Sequence, residues 1–136
     1  MSKLRHECKK QGSTYRVYIE DTDLMGIVYH ANYLCFFERA RTDLLRDNGI
    51  SLTTMATYDT YFAIHDIQLR YVYPARVDDD LQIITRYERK KTCSVVFDQS
   101  MHNHLGQLLC EARVHVVCVN RELKPKRWPD NLLFNK

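Results

Sequence analysis

Apolar residues recur along this chain with two different periods. Between about His30 and Asn48, Tyr33, Phe37, Ala40 and Leu44 fall on one face at helical spacing, which predicts one long amphipathic helix. Gly49 stands just past its end, where a residue free to adopt positive φ caps a C-terminus, and Ser51 is placed to cap a short second helix through about Thr57. The other patterned stretches run in steps of two. Tyr15, Val17 and Ile19 alternate with Arg16, Tyr18 and Glu20, predicting a first strand over Thr14–Glu20. Further strands are expected near Phe62–Tyr71, Asp80–Arg89, Cys93–Met101 and Leu108–Val119. In the last of these Cys110, Ala112, Val114, Val116 and Cys118 share one face and Glu111, Arg113 and His115 the other, so the first set is expected against the helix.

A long helix and a sheet of about five strands must bury each other's apolar faces, which predicts a two-layer α+β domain. The pattern leaves strand order open. A length of 136 residues suits one domain, and a hydrophobic fraction of 45% permits a sizeable core. Residues 1–12, MSKLRHECKKQG, are polar and basic without the apolar run of a signal peptide. They are expected to form a flexible N-terminal extension ahead of a domain over residues 13–136. No segment is long and apolar enough to span a bilayer, so a cytoplasmic protein without integral membrane association is expected. The cysteines, Cys8, Cys35, Cys93, Cys110 and Cys118, are odd in number and lack a CxxC pair. Reduced thiols acting as small hydrophobes fit this better than a disulfide framework.

The densest chemistry lies in residues 20–33, EDTDLMGIVYHANY. Asp23 precedes His30 by seven residues, and His30 opens the predicted helix. The first amides of a helix have no internal acceptor and carry the positive end of its dipole, so they suit a developing oxyanion. Asp23 can then attack a carbonyl held there, or activate water to do so. A carboxylate is a weak nucleophile and needs a good leaving group; a thiol, with a pKa of about 8.5, departs without a strong general acid. A thioester is the substrate class that fits. The competing reading makes Asp21 and Asp23 turn and capping residues only. Gly26 has no Cβ and lets the loop backbone approach a substrate closely. The His30 backbone amide is the best oxyanion donor, while its ring can orient Asp23 or water, or merely pack. Tyr29 reads as core or pocket wall. Glu38 is a tempting second acid, but its spacing to Arg41 and Thr42 favours a pair on the helix surface.

Several alternatives are disfavoured by absent motifs. There is no GxSxG nucleophile elbow, no GxGxxG and no GxxxxGK[ST]. His102 and His104 flank a hairpin turn, and His115 and Cys118 point to opposite faces of a strand, so no metal site is expected. A net charge of +3 with a pI near 8.6 falls short of the value of about 9 that by itself suggests nucleic-acid binding.

The string DTDLMGIVYHANYL with FFERARTDLLRDNGI, the segment YVYPARVDDDLQI, and EARVHVVCVN followed by KPKRWP together resemble the 4-hydroxybenzoyl-CoA thioesterase family of hotdog-fold proteins, in its YbgC-like acyl-CoA thioesterase branch. The likeness runs from about Tyr15 to Trp128. It implies a βαββββ order in which a five-stranded antiparallel sheet wraps the helix. It implies hydrolysis of acyl-CoA, or of an acyl-carrier-protein thioester, with coenzyme A as part of the substrate and no separate cofactor. It assigns the helix-start amide to His30, and gives the basic residues Arg89, Lys90, Lys91, Lys126 and Arg127 as candidates for the phosphates of coenzyme A. Sheets paired edge to edge into a dimer, often stacked into a tetramer with active sites between subunits, are also implied, as is a Tol-Pal association. A non-catalytic acyl-CoA or carrier-protein binding module of the same fold is the alternative, and a hotdog dehydratase a third reading.

Overall fold

The computed structural model describes residues 9–129, in which five strands and two helices follow the predicted order. β1 covers Lys9–Arg16, α1 Tyr33–Asp47, α2 Leu52–Thr57, β2 Tyr61–Tyr71, β3 Asp80–Lys91, β4 Ser94–His102 and β5 Leu108–Val119. The strands form one sheet in the order β1-β3-β4-β5-β2, antiparallel throughout, so β1 and β2 are its edges. Tyr87, Phe97, Val114 and Ile67 stand opposite one another across four neighbouring strands. They present an apolar row to the helix.

α1 buries Tyr33, Phe36, Phe37, Ala40, Leu44 and Leu45. Against this stripe lie Leu81, Ile83, Val95, Phe97, Met101 and the predicted face of β5, Cys110 to Cys118, all buried. Side chains on the other face of the sheet pair with one another, as in Arg113 with Asp98 at 2.9 Å and Arg70 with Glu111 at 3.0 Å. The C-terminus of α1 is closed as expected. Gly49 has φ of 80° and the Ile50 amide reaches back to the Leu45 carbonyl at 2.9 Å, the bond pattern of a left-handed cap. Ser51 then accepts the Thr54 amide at the start of α2.

Three expectations are corrected. The first strand runs over Lys9–Arg16 and not Thr14–Glu20. Val17 is still held between Asp78 and Asp79, but the Asp21 carboxylate captures the Tyr18 amide at 2.8 Å and turns Ile19–Asp21 into a 3-10 helix. Ile19, expected to share a strand face with Tyr15 and Val17, is 78% exposed. Residues 9–12, assigned to a flexible extension, pair with β3 from Lys9 opposite Tyr87 onward; residues 1–8 lie outside the described residues, and with them Cys8. The long helix starts as a 3-10 turn at His30–Asn32 before the α-helix proper.

β2 carries one irregularity. The register with β5 slips between Ile64 and Asp66, so His65 is an extra residue. Ile64 opposes Val116 and Ile67 opposes Val114, both on the helix side, although three positions separate them. Phe62, Ile64, Ile67, Leu69 and Tyr71 thereby share one face. Beyond β5 the chain crosses the β3–β4 hairpin, where Trp128 is buried and its amide donates to the Thr92 carbonyl at 2.8 Å.

Candidate active site

The loop that carries Asp23 is clamped by backbone on both sides. Thr22 bridges Val28, and Ile27 bridges Arg76. Between these bridges the Asp23 amide donates to the Ile27 carbonyl at 2.9 Å, and the Gly26 amide to the Asp23 carbonyl at 3.0 Å. Asp23–Gly26 is thus a closed turn, with Gly26 at φ of 76°. The Asp23 Oδ1 accepts the Met25 amide at 2.8 Å, which orients the carboxylate. Its other oxygen has no hydrogen bond among the described residues, and the side chain is exposed.

The helix start is built from the same loop. Val28 donates its amide to the Ala75 carbonyl at 2.8 Å and Tyr29 to the Asp21 carbonyl at 2.9 Å, where Asn32 Nδ2 also donates. Asn32 spends its own amide on Tyr29. The His30 amide has no acceptor among the described residues, as the first position of a helix leads one to expect. Tyr71, at the end of β2, donates its hydroxyl to the His30 carbonyl at 2.6 Å. Tyr33 accepts the Ala75 amide at 3.0 Å and meets the Tyr71 ring edge to face at 5.2 Å.

Asp23 and His30 line one cavity of about 360 Å³, together with Val28, Tyr33, Tyr71 and Tyr73. Burial raises the Tyr33 phenol above its ordinary pKa, the Ala75 amide works against this, and the charge of Asp23 adds to the rise. Burial likewise raises Tyr71. Both phenols therefore stay neutral near neutral pH. The tyrosines were not singled out in the sequence for chemistry. Tyr33 reads there as helix core, and Tyr71 as the last residue of a strand; the aromatic repeat in YVYP is the only signal.

The remaining candidates lie elsewhere. Tyr29 is exposed, with its ring 4.4 Å from that of His30, and does not line the cavity. Glu38 accepts the Thr42 hydroxyl at 2.6 Å, the helix-surface role expected of it. Arg89, Lys90, Lys91, Lys126 and Arg127 gather at the opposite end of the sheet. Arg89 donates to the Trp128 carbonyl at 3.2 Å and Lys90 pairs with Glu88 at 3.6 Å, while Lys91 and Arg127 are exposed. Lys126 directs its ammonium at the Tyr58 and Asp59 carbonyls and the Thr60 hydroxyl, at 3.0 to 3.2 Å. Its three donors are satisfied within the fold. Among the described residues no three His, Cys, Asp or Glu side chains come together, and no helix is long and apolar enough to cross a membrane.

The sequence and the fold that carry this cavity have known counterparts. The model of the thioesterase-like superfamily matches residues 17–134. The chain belongs to this superfamily. Acyl-CoA thioester hydrolase YbgC of Escherichia coli O157:H7 is 41% identical over 119 residues, spanning 87% of this chain and 89% of that one. A probable thioesterase from Bartonella henselae superposes with a TM-score of 0.85 at 34% identity, over 89% of this thioesterase-like chain and 100% of that structure. Slr0204, a 1,4-dihydroxy-2-naphthoyl-CoA thioesterase from Synechocystis, reaches a TM-score of 0.86 at 23% identity over 90% and 92% of the two chains, a likeness of fold. The chain is a hotdog thioester hydrolase of the YbgC-like branch. A Tol-Pal association is not among these findings.

Proposed function

We propose that this thioesterase hydrolyses acyl-CoA at the Asp23 cavity. The observation that carries the reading is the pairing of a carboxylate oxygen without a protein partner and the unpaired His30 amide on one cavity wall. The thioester carbonyl accepts the His30 amide, whose donor is fixed in advance and costs no reorganisation as the oxyanion forms. In one route Asp23 takes a proton from water while its oxygen bonds to the acyl carbon; the tetrahedral adduct collapses, the C–S bond breaks, and the thiolate recovers that proton. In the other, Asp23 itself adds and expels the thiolate, and water then cleaves the mixed anhydride. Both begin with an ionised Asp23. Coenzyme A is part of the substrate, and the reaction needs no further cofactor. The substrate is acyl-CoA or a carrier-protein thioester, and the setting is the cytoplasm.

The basic residues enter only if two copies meet. Within one chain they are separated from Asp23 by nearly the length of β2, nine residues from Phe62 to Tyr71, or roughly 30 Å at about 3.3 Å per residue. Among the described residues β2 is an unpaired edge of 11 residues, and its core-side row, Phe62 to Tyr71, is only partly covered. An antiparallel two-fold pairing along β2 covers that row and satisfies the edge. In such a dimer the Tyr71 end of one subunit, with its cavity, comes beside the Tyr61 end of the other, with Lys90, Lys91 and Arg127. We assign the phosphates of coenzyme A to these residues, with Arg89 and Lys126 shaping the surface behind them; two dimers can stack further into a tetramer.

The test is turnover of short-chain acyl-CoA by wild type and Asp23→Asn, with light scattering on both. Wild type should turn over and scatter as a dimer or tetramer, and the variant should lose 10²-fold or more, the usual scale of a general base, with KM largely kept. Near wild-type hydrolysis by the variant removes Asp23 from the chemistry. Tight acyl-CoA binding without hydrolysis by wild type would make the protein a binding module.

A further inference from the structure

A second hollow, of about 180 Å³, lies between α1 and the Tyr61 end of β2. Leu45, Leu52, Phe62, Ile64 and Trp128 make most of its wall apolar. A cavity of about 150 Å³ holds a benzene ring, so this hollow has the size for an acyl group of five or six carbons. The polar wall is Glu38, Arg41 and Thr42, and of these Arg41 carries the cation. Its Nη1 donates to Gln99 Oε1 at 3.0 Å, and Gln99 is itself buried and committed, donating to the Phe37 carbonyl and the Thr85 hydroxyl at 3.0 Å each. One donor of five is therefore used among the described residues, and its acceptor is neutral.

A guanidinium drawn out of water is costly unless an anion compensates it. Burial lowers the pKa of Arg41 accordingly, and the charge of Glu38 works against this only in part. No carboxylate of the described residues lies within 4.0 Å of it. Glu38, one helical turn away, lines the same hollow but is exposed and occupied by the Thr42 hydroxyl. The dimer proposed above would bring the Asp23 end of one subunit beside the Tyr61 end of the other, which would give an acyl group cleaved there the α1–β2 groove as its berth.

We propose that Arg41 is the specificity-determining residue of this groove and selects acyl groups that end in a carboxylate, the mono-thioesters of short dicarboxylic acids. The assignment rests on the thioesterase reading above. The apolar wall takes the methylene chain, and the unused guanidinium donors take the distal carboxylate in a charge-assisted pair. A site built around such a pair discriminates strongly against an analogue that lacks it, because the unused guanidinium donors are then left without an acceptor.

The experiment compares glutaryl-CoA with pentanoyl-CoA, equal in chain length. Wild type should favour glutaryl-CoA in kcat/KM by roughly 10- to 100-fold, the range for a hydrogen bond to a charged group. Arg41→Met should erase or reverse that ratio, and Arg41→Lys should keep part of it, since a lysine retains charge but loses the planar fork. A wild-type preference for pentanoyl-CoA, or equal losses on both esters in Arg41→Met, overturns the assignment. Should Arg41→Met fail to fold, wild type alone decides: glutarate should inhibit it at least tenfold more strongly than pentanoate, and equal inhibition overturns the proposal. Failure of the underlying reading looks different. Asp23-dependent hydrolysis of pentanoyl-CoA upholds the thioesterase even if Arg41 proves indifferent, whereas hydrolysis of neither ester by wild type overturns both.

Discussion

Replacing Gly26 with alanine separates two reasons for a glycine beside Asp23. The residue sits at φ of 76°, and a Cβ built there meets nothing within 4 Å. Steric overlap with the protein is therefore absent, and the cost is conformational: roughly 1–2 kcal/mol for an L-residue in the left-handed region. For a domain of this size that corresponds to a fall in Tm of about 3–8 °C. Gly26→Asn should recover much of the loss, since asparagine tolerates this backbone. Thermal melts by circular dichroism and kcat/KM on acyl-CoA are measured for both variants. If Gly26 serves only the turn, the two variants should be ranked identically by stability and activity, with asparagine nearer wild type. If the substrate approaches the loop at Gly26, both should lose activity about equally, because the open space around the Cβ is then where the thioester lies. An alanine variant that melts at or above the wild-type temperature would refute the left-handed turn and with it the orientation of Asp23.

Other outcomes follow from the same contacts. His30→Ala keeps the helix-start amide, so kcat/KM should fall less than about tenfold; a loss comparable to that of Asp23→Asn, of 10²-fold or more, would assign the chemistry to the imidazole. Lys126→Met removes three hydrogen bonds to the 58–60 segment and should cost about 2 kcal/mol in chemical denaturation while leaving KM for acyl-CoA nearly unmoved; a raised KM at wild-type stability would instead put Lys126 on the phosphates. Burial pushes the Cys110 thiol up to about 12, whereas Cys35 is exposed, so maleimide at pH 8 should label Cys35 and spare Cys110 until the chain unfolds, as peptide mapping can check. Because the folded pKa of Cys110 is raised, its contribution to stability is complete below the unfolded value of about 8.5 and declines as pH rises toward about 12; urea midpoints that rise across that range would contradict the burial.

Much of the scaffold was legible because it is periodic. The stripe Tyr33, Phe37, Ala40 and Leu44 and the β5 face from Cys110 to Cys118 each announce a buried surface without reference to the rest of the chain. Asp23, Gly26 and His30 were legible for a related reason, since one turn and one helix start contain all three. Contacts made at a distance were not. Nothing local says that the Asp21 carboxylate turns the chain away from β1, nor that Tyr71 reaches the His30 carbonyl across 41 residues. The basic residues were read correctly as clusters but not as lying at the far end of the sheet from Asp23, because that position depends on strand order. Lys126 could be seen as a charge; its three acceptors come from a loop more than 60 residues earlier.

The extra residue at His65 works like a clutch between the two ends of β2. Because it resets the phase of the strand, Phe62 and Ile64 reach the groove on even positions while Ile67, Leu69 and Tyr71 keep the core side on odd ones. Deleting it would leave either the groove or the Tyr71 end facing outward, since a strand of fixed pitch cannot serve both. With it in place, Phe62 and Ile64 share the helix side with Ile67, Leu69 and Tyr71. One strand thereby lines both the α1–β2 groove and the Asp23 cavity from the same side of the sheet.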